Sequence, residues 1–156
     1  MKYLTELNSL LPLLGHRNWI LVVDKAYPLQ SSKGISYLNS GEDLNKVLKE
    51  VLNALEAASH LRPIIYLDKE LEFMDDELCK GVSDFKTTLQ RICSNYTLKQ
   101  IPHEDIFRRL DEAARLFNVV VIKTESQIPY TSVFIELDCG YWSEEKEKTL
   151  RNKIVL

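Results

Sequence analysis

Continuous apolar runs of strand length recur along the chain. Trp19–Val23 and 119–122 consist almost entirely of large or β-branched apolar residues, a composition typical of strands buried on both faces of a sheet. Shorter runs predict further strands, and Pro63 is expected to open one of them. The predicted strands cover residues 19–23, 34–38, 64–67, 96–101, 119–122 and 132–137.

Other segments repeat apolar residues at helical spacing. In 43–58 these residues recur at i, i+3, i+4 and i+7, and Ser40 or Asp43 can cap the helix start. The same spacing predicts helices over 4–14, 84–94 and 102–117. The segment 68–82 is acidic and irregular, and it stays unassigned.

Strands that alternate with helices predict an α/β fold with a largely parallel or mixed sheet flanked by helices. The 156 residues are the ordinary size of one domain, and the sequence contains no internal repeat, low-complexity tract or Pro/Gly-rich linker. We therefore expect one domain over 1–140. The charged segment 141–156 lies outside the core pattern and is expected to form a helical tail.

Composition narrows the classes of function. The net charge is −3, and neither a basic stripe for nucleic acid nor a basic amphipathic helix for a membrane surface occurs. No apolar stretch approaches the ~18 residues of a membrane span, and the N-terminal segment lacks signal-peptide features. The three cysteines, Cys79, Cys93 and Cys139, form no CxxC or Cys/His cluster. We expect them to be reduced thiols of a cytoplasmic protein, without metal.

Motifs of several enzyme classes are missing from the sequence. It contains no P-loop, GxGxxG, GxSxG or HExxH, so nothing in it supports a kinase, a dinucleotide-dependent enzyme or a serine hydrolase. The acidic cluster at 75–77 lacks the spacing of an EF-hand, and we interpret it as a solvated turn.

His16 and Asp24 bracket the first predicted strand. Asp24 lies at its carboxyl end, where ligands bind in open α/β sheets, whereas His16 precedes its start. The strand spans ~17 Å, so the two groups meet only if a loop folds back or another subunit contributes. From spacing alone, the favoured explanation of the pair is a cap-region histidine and a turn aspartate.

For three further side chains, a functional role has to be weighed against a structural one. His103 follows Pro102 at a helix start, where the helix dipole disfavours imidazolium and either a cap or a sugar contact is possible. Tyr130 follows Pro129 and can donate to a ligand or pack half-buried. His60 follows a helix end, and the dipole there favours a structural histidine.

Several of these residues, in order, resemble the D-ribose pyranase / L-fucose mutarotase (RbsD/FucU) family. Gly15-His16, a strand, Asp24 and Pro28 are similar to the family's Gly-His…Asp…Pro opening. His103-Glu104 is similar to the His-Glu segment of the pyranase branch, which the mutarotase branch usually lacks. Residues 120–124 and 129–132 resemble the family's closing Val-Ile-Arg-(Ser/Thr)-Gly-Glu…(Pro)-Tyr-Ala-Asn, and the similarity covers roughly 5–140.

This resemblance implies an RbsD-like three-layer fold and a monosaccharide-binding domain. It implies an isomerase of carbohydrate metabolism that interconverts cyclic forms of a free sugar without metal or cofactor. His16 would be the general acid, and Asp24 would lie beside the sugar. His103, Tyr130 and Ser132 would bind it. It further implies a ring-shaped homo-oligomer, often a decamer, with sites at subunit contacts.

The chain departs from the family pattern at five of the matched positions. Ser132 replaces the asparagine, and Lys123 replaces the arginine. Glu125-Ser126 replaces the Gly-Glu pair, and Lys25 stands where alanine is usual. Two alternatives to an enzyme therefore stay open. One is a non-catalytic sugar-binding or regulatory relative, and the other is an assembly protein without a ligand.

Overall fold

The computed structural model describes residues 2–155, and Met1 and Leu156 lie outside the described part. Within it, the predicted α/β fold with a mixed sheet is confirmed. The strands are β1 (Trp19–Val23), β2 (Ile35–Asn39), β3 (Leu61–Asp68), β4 (Leu98–Ile101), β5 (Val119–Lys123) and β6 (Val133–Cys139). The helices are α1 (Lys2–Leu10), α2 (Leu44–Ala57), α3 (Val82–Ile92), α4 (His103–Leu116) and α5 (Glu144–Lys153), with short 3-10 turns at Leu11–Leu13 and Lys69–Phe73.

The six strands form one sheet in the order β2-β5-β1-β6-β3-β4. β6 runs antiparallel to both of its neighbours, β1 and β3, while the other neighbouring pairs are parallel. The register places Val22 opposite Val133 and Trp19 opposite Glu136. The start of β6 therefore lies beside the end of β1, and the end of β6 lies beside the start of β1.

Alternation along β1 divides the core into two layers. Ile20 and Val22 pack in a cluster with residues of α1, α2 and α3 on one face. Trp19, Leu21 and Val23 pack with residues of α4 on the other face. All five residues of β1 are buried, which explains why its sequence is one continuous apolar run. The result is a three-layer arrangement, and α5 buries none of its residues against it.

Local sequence sets most element boundaries. The Asp43 side chain caps α2 by accepting from Asn45 N at 3.1 Å, as predicted for one of the two candidate caps. The start of β3 differs from the prediction, because the strand begins at Leu61 rather than after Pro63. A proline is tolerated at position 63 because β4 pairs with β3 only from Ile65 onward. No N–H of residue 63 is therefore needed on the side of β3 that faces β4.

Candidate functional site

The first part of the candidate site lies where β1 ends and β6 begins. Asp24 directly follows β1, and Ser132 directly precedes β6. The Ser132 hydroxyl donates to Asp24 Oδ1 at 2.7 Å, and Asp24 N donates to Ser132 Oγ at 3.1 Å. Ser132 is buried, so its side chain serves to hold the aspartate. Asp24 also borders a shallow cavity of about 440 Å³.

His103 reaches the same edge of the sheet from the first residue of α4. Its Nδ1 lies 2.9 Å from Oδ1 of Asp68, the last residue of β3. Its backbone N–H donates to both Glu70 carboxylate oxygens, at 3.0 and 3.2 Å. Nδ1 therefore faces a carboxylate, which leaves Nε2 for a ligand.

Asp68 is the most unusual carboxyl group of this edge. It is only 1% exposed, and its Oδ2 has no hydrogen-bond partner among residues 2–155. Burial raises the pKa of Asp68, and repulsion from Glu70 and Asp24 adds to this, although the hydrogen bond and charge of His103 act to lower it.

Tyr130 completes this group of side chains. Its ring meets the His103 ring edge-on at 5.5 Å between centroids, and 41% of the residue is exposed. The Tyr130 backbone has φ 60°, a left-handed conformation that is uncommon outside glycine. The turn that contains Tyr130 is closed by a hydrogen bond from Thr131 Oγ1 to Ile128 O at 2.6 Å. Strain of this kind is characteristic of functional loops.

His16 lies at the opposite edge of the sheet. Its Nδ1 is 2.9 Å from Oδ1 of Asp138 near the end of β6, and Asp138 Oδ2 accepts from Arg62 at 2.5 Å. These residues line a cavity of about 570 Å³ together with Tyr141 and Trp142. Partial burial alone would raise the pKa of Asp138. The net effect is a lower pKa, because the carboxylate is stabilised by the hydrogen bond and charge of Arg62, by the Cys139 N–H and by the charge of His16.

The structure thus brings together only part of the predicted site. Asp24 and Ser132 are in direct contact at the carboxyl end of β1, and His103 contacts Tyr130 beside Asp68 at the carboxyl end of β3. His16 lies beyond the other end of β1, so within one chain it does not share a pocket with Asp24.

The sequence model of the RbsD / FucU transport protein family matches residues 4–140. The chain belongs to this family. Among curated protein sequences, none matches the chain significantly.

Solved structures of the RbsD/FucU family share the fold at low sequence identity. RbsD of Bacillus subtilis complexed with D-ribose has 18% identity and a TM-score of 0.58, with 86% of this chain and 92% of that chain covered. FucU of Bifidobacterium longum has 13% identity and a TM-score of 0.59, covering 86% and 94%. A fucose mutarotase of Streptococcus pneumoniae in complex with L-fucose has 14% identity and a TM-score of 0.52, covering 85% and 91%.

Two departures from the RbsD/FucU pattern contact each other in this member. The Lys25 ammonium pairs with the Glu125 carboxylate, so the two changes form one ion pair at the rim of the Asp24 edge. A third departure, Lys123, donates to the carbonyls of Lys25 and Tyr27 at 2.7 and 2.5 Å. These residues therefore fix the loop that follows Asp24.

Sequence reasoning missed the two carboxylates that hold the histidines. Asp68 follows a buried strand in the same way as Asp24, so the same positional rule would have selected it. Asp138 had no such signal, because its proximity to His16 depends on the antiparallel direction of β6.

His60, the third histidine, has a structural role. His60 was expected to be structural because of the α2 dipole, and its observed role comes instead from hydrogen bonds of Nε2 with the carbonyls of Leu11 and Leu14, each 3.1 Å.

Cys79, Cys93 and Cys139 are free. Within the described part of the chain no His, Cys, Asp and Glu side chains cluster as metal ligands, and no helix has the length and apolarity to cross a bilayer.

Proposed function

We propose that this protein interconverts the cyclic forms of a free monosaccharide, without metal or cofactor. The observation that carries the proposal is two sets of contacts where β1 and β3 end: Asp24 with Ser132, and His103 with Asp68 and Tyr130. These residues supply carboxylate acceptors, a phenol and an imidazole, which are the groups that sugar hydroxyls bind. The solved relatives that contain D-ribose and L-fucose support the same class of substrate.

The proposed reaction needs one acid and one base. The acid protonates the ring oxygen while the base removes the proton of the anomeric hydroxyl, and the bond between anomeric carbon and ring oxygen breaks. The open-chain sugar then closes again through another hydroxyl or on the other face, and both protons return. General acid–base catalysis of this kind contributes about 10²–10⁴-fold, which suits a reaction that already proceeds slowly in water.

We assign the acid to His16 and the base to His103. Asp68 can stabilise the imidazolium that forms when His103 accepts a proton through Nε2. Asp24, whose Oδ1 is held by Ser132, offers Oδ2 to orient a sugar hydroxyl. Tyr130, which is 41% exposed and lies beside the His103 ring, can donate from the neighbouring loop.

The complete site requires two copies of the chain. His16 and Asp24 lie at opposite ends of β1, which alone spans roughly 17 Å. We propose a homo-oligomeric ring, such as a decamer, in which His16 of one subunit reaches the Asp24 edge of the next. A cytoplasmic location belongs to the same proposal, since free cysteines persist as thiols there.

Saturation-transfer NMR on ribose, fucose and related sugars tests the reaction. We expect exchange between cyclic forms to be faster than in buffer, and His16→Ala to remove most of the gain. Exchange at the buffer rate for every sugar would exclude the proposal.

Subunit mixing tests the shared site. His16→Ala and Asp24→Asn proteins should each be inactive, yet random co-assembly should restore about one quarter of the sites, because one in four contacts then joins an intact His16 to an intact Asp24. No recovery in verified mixed oligomers would show that the two residues do not act across a contact.

A non-catalytic sugar-binding relative is the second candidate. It is favoured by Ser132, whose hydroxyl is engaged with Asp24 and so cannot replace a free side-chain amide. Calorimetry separates the two candidates, because tight sugar binding without accelerated exchange would identify the binding protein.

A further inference from the structure

His16 is held in place although it is largely exposed. Its side chain is 58% exposed and lies between the 3-10 turn Leu11–Leu13 and β1. An exposed imidazole outside regular structure normally samples several rotamers and both neutral tautomers. Here Nδ1 lies 2.9 Å from Asp138 Oδ1, a contact that restricts the ring.

Asp138 is itself fixed from several directions. Its Oδ2 accepts from Arg62 Nη2 at 2.5 Å, and its Oδ1 accepts from Cys139 N at 2.8 Å. Arg62 also donates to Trp142 O at 3.3 Å, which ties the guanidinium to the chain after β6. Gly140, two residues after Asp138, lets the chain pack closely against Ser59, because a Cβ on residue 140 would lie 2.4 Å from Ser59 O. The carboxylate is therefore a fixed acceptor and not a mobile surface group.

An ionised carboxylate can only accept hydrogen bonds, so the proton of a neutral His16 must reside on Nδ1. Nε2 is then the nitrogen that exchanges a proton with a substrate, and the ring that carries it is largely exposed. The arrangement repeats that of His103, whose Nδ1 faces Asp68.

We propose that Asp138, held by Arg62, is a positioning residue that fixes the rotamer and tautomer of His16 for proton transfer through Nε2. This inference rests on the proposed function, in which His16 is the general acid. Asp138 itself does not contact the sugar.

The test combines ¹⁵N NMR of the imidazoles with exchange kinetics. In the intact protein the neutral His16 ring, assigned by its loss in His16→Ala, should show Nδ1 protonated. Asp138→Ala should give a mixture of tautomers and a kcat lower by about 10- to 100-fold, with KM changed less than about two-fold. Asp138→Asn keeps the side-chain shape and one acceptor oxygen, so its kcat and tautomer ratio should lie between those of the intact protein and Asp138→Ala. It replaces the alanine variant in the test if that variant folds poorly.

Asp84→Ala is the matched control, since it removes an exposed carboxylate of α3 and should change neither readout. An unchanged tautomer in Asp138→Ala, or a changed tautomer with full kcat, would overturn the proposal. If the intact protein accelerates no sugar, the proposed function fails, whereas the tautomer measurement still decides whether Asp138 orients His16.

Discussion

Asp68→Asn should make the protein more stable and less active. Asp68 is 1% exposed, and one of its oxygens has no partner within residues 2–155. Asparagine has nearly the same shape, and its side-chain oxygen can still accept from His103 Nδ1. The substitution therefore removes a buried charge while it retains most of the packing and one hydrogen bond.

The magnitude follows from the pKa of Asp68. Burial, opposed by His103, raises this pKa from 3.8 to about 6. Each pKa unit corresponds to about 1.4 kcal/mol, so the ionised carboxylate costs the fold about 3 kcal/mol above pH 6. The buried amide N–H of asparagine forfeits about 1 kcal/mol, which leaves a net gain of about 1–2 kcal/mol at pH 7.5.

The sign of the pH dependence follows from the same shift. Below pH 4 the carboxyl group is protonated in both folded and unfolded states, and the cost is absent. Between about pH 4 and 6 the unfolded chain loses its proton first, so Asp68 lowers the free energy of unfolding progressively as pH rises. Asp68→Asn should flatten the stability profile in that window.

Urea unfolding at several pH values measures the effect, and sugar exchange is measured in parallel. Exchange should slow by at least about ten-fold, because a neutral amide stabilises the imidazolium of His103 less than a carboxylate does. Asp138→Asn is the control of opposite sign, since the pKa of Asp138 lies below its usual value and its contribution is lost as pH falls. Lower stability of Asp68→Asn at pH 7.5, with an unchanged profile between pH 4 and 6, would refute the reasoning.

Three other substitutions probe different parts of the molecule. Tyr130→Phe keeps the ring contact with His103, so urea unfolding should be unchanged while KM for the sugar rises about 2- to 10-fold, the effect of one hydrogen bond. Lys25→Ala breaks an exposed ion pair with Glu125 and should lower the free energy of unfolding by less than about 1 kcal/mol. Ile135→Val removes one methylene from a fully buried position and should cost about 1 kcal/mol by the same assay. A larger loss for Lys25→Ala than for Ile135→Val would contradict this ranking.

The sequence predicted the strands well because most of them are buried and therefore apolar without interruption. Trp19–Val23 matches β1 residue for residue. Asp24 was placed correctly at a strand end by the same pattern. The order and direction of the strands could not be derived, because apolar runs carry no information about which neighbours pair. The link between His16 and Asp138 depends on that order, since it exists only because β6 is antiparallel to β1.

β6 connects the two halves of the candidate site. Ser132 at its start holds Asp24, and Asp138 near its end holds His16. Because one strand fixes both groups at its two ends, they cannot approach each other within a chain without disrupting the centre of the sheet. Each half nevertheless presents an imidazole whose Nδ1 faces a carboxylate. Two prepared half-sites that face away from each other are useful to a general acid–base enzyme only if another subunit supplies the missing half. With His16 as the acid and His103 as the base, the proposed chemistry therefore predicts an assembly, and a single chain with full activity would contradict that assignment.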